Sequence, residues 1–243
     1  MPPTTILITA TTPHGVVLSR PWGIALDGLL ASVLWHRRKT TAFEHGDHLT
    51  YHPGEPPEQL ELPLARCGDP DQHHDWHWMA TFADLHPHPH GTADPDIRWR
   101  RSRTNHQRLQ QLSPTINKSA VADHTGRYQA RALPVIAHPT THLTWRAVGD
   151  ADTITELLTE LPAIGKHRNI GEGLVTQWNI TRTPDVTPWT AGHCHQPGLL
   201  GRPTPARCLT NHPDTQTGPH IRTALRPPYL DPQTRCPAYQ PAR

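Results

Sequence analysis

Apolar residues recur along this chain at two spacings, and those spacings divide it into strands and helices. Thr4 to Thr11 is dense in β-branched residues and predicts an opening strand, ended by Pro13 and Gly15. Leu26, Leu29, Leu30, Val33 and Leu34 then fall at i, i+3, i+4, i+7 and i+8, a helix with one apolar face. His36, Arg37, Arg38 and Lys39 follow, where cations complement the carboxyl end of a helix dipole. Leu60 to Leu64 and Trp76 to Phe82 read as strands, the first weakened by Pro63. Ile97 to Arg103 and Arg127 to Leu133 alternate again, and so do Leu143, Trp145 and Ala147 with their polar neighbours. Ile154, Leu157, Leu158 and Leu161 line a second helical face, with Thr153 and Glu156 in capping-box spacing and Pro162 and Gly165 as the stop. Leu174, Thr176, Trp178 and Ile180 leave as a strand.

Strand then helix at the N-terminus, and strand, helix, loop, strand from His142 to Ile180, predict an α+β fold with a ferredoxin-like core and helices on one face. The long polar stretch between the alternating segments places an insertion at about residues 104–127, inside a core of residues 1–182. Beyond Thr183 periodicity stops, and twelve of the 28 prolines lie there. Residues 183–243 therefore read as an irregular extension that drapes over the domain or orders on a partner.

The loop after the second helix carries the most specific chemistry. Gly165, Gly171 and Gly173 permit positive φ and close approach, and Lys166, His167, Arg168 and Asn169 lie between them. Backbone N–H groups with mobile cations suit the phosphates and sugars of a nucleic acid; the plain alternative is a tight turn with solvated charge. It is not a P-loop, because the helix precedes it. Arg98, Arg100, Arg101 and Arg103 surround Trp99, a pattern for phosphate neutralisation with base stacking, or for a charged edge strand.

Gly165 to Val175 resembles the glycine-rich loop of the RAMP superfamily, the RNA-recognition-motif-like proteins of CRISPR-Cas systems. Ile24-Ala25-Leu26-Asp27-Gly28-Leu29-Leu30-Ala31 resembles the Leu-Asp-Gly-Leu-Leu segment of one branch, the small subunit that caps the 5′ end of the guide RNA in type IV effector complexes. The resemblance implies a non-catalytic crRNA-binding subunit that contacts backbone and large subunits, with target nucleic acid as a further contact. It also implies that the insertion is a thumb-like hairpin, with Asn117, Lys118, His124 and Arg127 as RNA contacts. A metal-independent endoribonuclease of the same superfamily is the alternative, using His14 or His36 as acid or base and Lys39 or Lys166 for charge.

Charge changes this picture little. The formal net charge is only +2, but the segment after Thr181 is basic, with arginines free in principle to grip RNA or a neighbouring subunit. No apolar run is long enough for a bilayer and no secretory leader is legible, so a cytoplasmic protein without membrane contact is expected. Cys67, Cys194, Cys208 and Cys236 are too scattered for a disulfide framework and are expected to be reduced. No cofactor and no metal are expected; the competing reading is a zinc protein built on His193, Cys194, His195, Cys208 and Cys236, on His73, His74 and His77, or on His86, His88 and His90.

Overall fold

The computed structural model describes residues 3–19, 23–50, 55, 58–87, 94–105, 107–108, 111 and 129–242. The first half of the chain forms β1 (Thr4–Thr11), β2 (Val16–Val17), α1 (Leu26–Glu44), β3 (Arg66–Cys67), β4 (His77–Trp78), β5 (Asp84–Pro87) and β6 (Asp96–Ser102). There follow β7 (Arg131–His138), β8 (Thr140–Gly149), α2 (Ala151–Thr159) and β9 (Gln177–Arg182). The remainder is α3 (Pro188–His193), β10 (Cys194–Gln196), β11 (Leu199–Leu200), α4 (Ala206–Leu209), β12 (Thr217–Ala224) and β13 (Arg235–Pro241). The fold is α+β, as the periodicities predict.

The central antiparallel sheet has the order β5-β8-β1-β9, with α1 between β1 and β5 in the chain and α2 between β8 and β9. Alternation decides its inner face. Ile6, Ile8 and Ala10 of β1 sit opposite Ala147, Trp145 and Leu143 of β8, and all six are buried. They pack with Leu26, Leu30 and Val33 of α1 and Ile154, Leu157 and Leu158 of α2. The two helices lie together, joined at their exposed edges by Arg37, which pairs with Glu156 at 2.8 Å and with Glu160. The Trp145 indole N–H donates to the Ile24 carbonyl at 3.0 Å and fixes the chain where it enters α1.

Several boundaries differ from the pattern. The first helix continues past Lys39 to Glu44, since nothing in Thr40 to Glu44 breaks it before Gly46 at φ +80°. Its cations are therefore not at its end; Arg37 and Arg38 pair with acids from other segments. The second helix begins at Ala151 with Asp150 as its cap, accepting from the Asp152 amide at 3.1 Å and the Thr153 hydroxyl at 2.8 Å, so no Thr153 capping box forms. Leu60 to Leu64 is not a strand; only Leu64 bridges, to Gly149. Asp84–Pro87, whose composition reads as loop, is an edge strand because β8 pairs with it.

The segment after Thr183 has its own order. Helix α3 packs on β8 and β1, the Arg146 guanidinium donates to the His195 carbonyl at 2.7 Å, and β12 and β13 form a hairpin around Leu225, Cys236 and Ala238. Its organising residue is Arg202, fully buried, which donates to the carbonyls of Trp78, Ala80 (2.8 Å) and Leu225 (2.5 Å). Among the described residues no helix is long and apolar enough to cross a membrane.

Candidate nucleic-acid interface

The glycine loop is shaped by its backbone. A bridge between Ala163 and Leu174 closes its base, with the Ile164 amide donating to the Gly173 carbonyl at 2.9 Å and the Val175 amide to Pro162 at the same distance. Gly173 has φ +68°, and a Cβ there would lie 1.9 Å from the Ile164 carbonyl oxygen. Gly165 has φ +82°, and its Cβ would strike the Val17 carbonyl, to which the next amide, Lys166, donates at 2.8 Å. These two glycines seat the loop against β2. A short 3-10 turn, Arg168–Ile170, forms the tip, and His167 enters it in the left-handed region at φ 59°. The amides of Lys166, Ile170, Gly171 and Glu172 all donate within the chain, so the side chains are the more available part of this surface. Lys166, Arg168 and Asn169 are exposed, and among the described residues Lys166 and Arg168 form no ion pair.

The loop faces the start of α1. A cavity of about 270 Å³ is lined by Gly28, Leu29 and Ser32 of α1 together with Gly165, Lys166 and Arg168 of the loop. The two motifs singled out in the sequence, more than 130 residues apart, thus both line one cleft. Tyr229 and Phe82 also line it, their rings edge to face at 5.7 Å. Asp27 points away from solvent. It accepts from the Gly28 amide at 2.8 Å and the Tyr229 hydroxyl at 2.6 Å, and lies 3.9 Å from Arg202. Burial, opposed by Arg202 and Tyr229, holds its carboxyl above the usual range. Its place is to fasten the C-terminal segment beneath the cleft.

The arginine strand joins the same region through Arg98. Its guanidinium pairs with Glu172 of the glycine loop at 2.5 Å and Asp96 at 2.7 Å, and donates to the His14 carbonyl at 2.8 Å. We expect Glu172→Gln to cost about 1 kcal/mol or less, because Arg98 is part-exposed, and to speed amide exchange at Gly171 and Gly173. Urea denaturation and hydrogen exchange measure the two effects.

A family model described as CRISPR type IV associated protein Csf3 matches residues 6–241. The chain belongs to the Csf3 family. A comparison with curated proteins finds no match. In this Csf3-family chain the match spans both motifs that line the cleft and runs through the C-terminal segment that carries Tyr229 and Arg202.

Strand β6 pairs with β7, and β7 with β2, in a second small sheet. Arg98 and Arg100 share one face of β6; Trp99 and Arg101 share the other, where Trp99 is 64% exposed and Ile97 stands opposite Ile136. Among the described residues Arg100, Arg101 and Arg103 form no ion pair. Asn117, Lys118, His124 and Arg127, and most of the insertion that β6 and β7 flank, lie outside the described residues.

The histidines and cysteines assemble differently from the sets read in the sequence. His88 and His90 lie outside the described residues, and His86 bonds the Thr144 hydroxyl at 2.8 Å. Of the C-terminal set, His195 faces Asp84 at 3.5 Å, while Cys194 and Cys236 are buried elsewhere, their thiols pushed up by burial. His193 and Cys208 instead join Cys67 and His77 from the β3–β4 hairpin. Sequence spacing concealed that grouping because its two halves are more than 100 residues apart.

Proposed function

We propose that this Csf3-family chain is a non-catalytic guide-RNA-binding subunit of a type IV CRISPR effector ribonucleoprotein. In this reading it holds the 5′ handle of the crRNA and adjoins the first backbone subunit, with the large subunit and target nucleic acid as further neighbours. The observation that carries it is the shared cleft: Lys166 and Arg168, exposed and without an ion pair among the described residues, line it together with the first turns of α1. Those cations can neutralise phosphates, and the groove between them and Gly28 admits a sugar-phosphate chain without reading bases. The β5-β8-β1-β9 sheet and its two crossover helices support a ferredoxin-like, RNA-recognition-motif-like core. Strands β6 and β7 then form the base of a thumb-like hairpin, offering Arg100, Arg101 and Arg103 to phosphates and Trp99 for stacking.

Cleavage by a ribose 2′-OH needs a positioned acid or base beside the phosphate. Neither His14 nor His36 lines the cleft, and both are exposed, which favours retention of RNA over its cleavage. The deciding experiment incubates the protein with labelled repeat RNA and no divalent metal. We expect intact RNA to be retained, with nuclease protection confined to the 5′ handle. A specific cut lost in His14→Ala or His36→Ala would instead make this chain the processing nuclease.

A further inference from the structure

We propose that Cys67, His77, His193 and Cys208 bind one zinc ion, which staples the β3–β4 hairpin to the C-terminal segment. Cys67 and His77 are cross-strand partners in the hairpin; His193 ends α3 and Cys208 lies in α4. Their four donor atoms all fall within 4.8 Å of one another. The two Sγ atoms are 3.5 Å apart and the two Nε2 atoms 3.0 Å apart. Zinc bonded tetrahedrally at about 2.3 Å to sulfur and about 2.0 Å to nitrogen sets those edges at about 3.8 and 3.3 Å, so each pair need open by only about 0.3 Å, while the sulfur–nitrogen separations, all within 4.8 Å, draw in toward about 3.5 Å around the ion. The sulfur separation is far beyond the roughly 2.05 Å of a disulfide.

The imidazoles carry the argument further. His77 Nδ1 lies 3.1 Å from the Asp75 carbonyl oxygen, and His193 Nδ1 lies 2.9 Å from that of Trp189. A carbonyl oxygen only accepts, so each Nδ1 keeps its hydrogen. With both rings neutral, the two Nε2 lone pairs meet 3.0 Å apart, an arrangement that a cation bonded to both resolves. Zinc with two thiolates is formally neutral, and a neutral centre tolerates the burial of His77, His193 and Cys208.

Outer contacts hold the ligands as metal sites require. The Trp189 ring stacks on His193, and its indole N–H donates to the Cys208 carbonyl at 3.2 Å. Arg207 pairs with Asp75 at 2.8 Å and donates to the Cys67 carbonyl at 3.3 Å, crossing between the same two segments. Four protein ligands leave no open position for a reactive water, so the ion is structural.

The test uses the full chain, purified without chelator. Elemental analysis should give about one zinc per chain, and Cys208→Ser should lose most of it, whereas Cys236→Ser should keep it. Cobalt added to chelator-treated protein should give the visible bands of a tetrahedral ion and a thiolate charge-transfer band, both lost in Cys208→Ser. If Cys208→Ser does not fold, Cys208→His preserves four ligands and should retain the metal with a weaker thiolate band. Wild-type protein without stoichiometric zinc and without tetrahedral cobalt bands overturns the proposal, as does a Cys67–Cys208 disulfide found by mass spectrometry in the purified chain.

Discussion

Lys166→Glu combined with Arg168→Glu lowers affinity for a crRNA bearing its 5′ handle by on the order of 100-fold, the loss expected when two charge-assisted contacts disappear. Both side chains are exposed and the loop is held by main-chain bonds, so the fold and its melting temperature stay unchanged. Counterion release supplies a second reading: for single-stranded RNA each lost phosphate contact flattens the plot of log affinity against log salt by about 0.7, so the double variant flattens it by about 1.4. Filter binding across a salt series measures both. The control reverses Lys39 and Arg235, which lie on α1 beyond the cleft and on β13, for the same change in net charge. If that pair weakens binding as much, attraction is diffuse and the glycine loop is not the docking place.

The loop was legible because its signals are local. Three glycines in nine residues force the turn, and before it Ile154, Leu157 and Leu158 form one helical face that is buried as the spacing requires, with Leu161 buried just past the end of the helix. The inward alternation of β1 and β8 was legible for the same reason. Asp84–Pro87 was not: its residues prefer turns, and only pairing with β8 makes them a strand. Tertiary pairing overrode composition there.

The C-terminal segment was misjudged through its arginines. As sequence they read as a basic surface, but three of them serve the interior. Arg202 donates to three carbonyls; Arg226 donates to the carbonyls of His74 and Trp76, each at 3.0 Å, and lies over the Trp76 ring; Arg207 crosses to Asp75. Side chains that supply donors to loop carbonyls replace the regular hydrogen bonding that a Pro-rich chain lacks. Periodicity carries no trace of this. The order of residues 184–242 is long-range, as is the meeting of Asp27 with Tyr229, which no local pattern connects.

Arg202→Met should be the most damaging single substitution in that network. Methionine restores much of the lost volume, so a cavity contributes little. The three carbonyls of Trp78, Ala80 and Leu225 lose their donors, and the buried Asp27 carboxylate loses the positive charge 3.9 Å away. Breaking one side of such a buried arrangement costs about 3–5 kcal/mol, which in a chain of this size lowers the melting temperature by on the order of 10 °C. Arg202→Lys keeps the charge but cannot fork between three acceptors, and should fall between the two. Because Asp27 and Tyr229 underlie the cleft, Arg202→Met should also weaken handle binding under conditions where most of the protein remains folded. Calorimetry and filter binding on the same samples separate the effects. A melting temperature within about 2 °C of wild type would mean that water supplies those carbonyls, and that Arg202 is not what holds the C-terminal segment to the sheet.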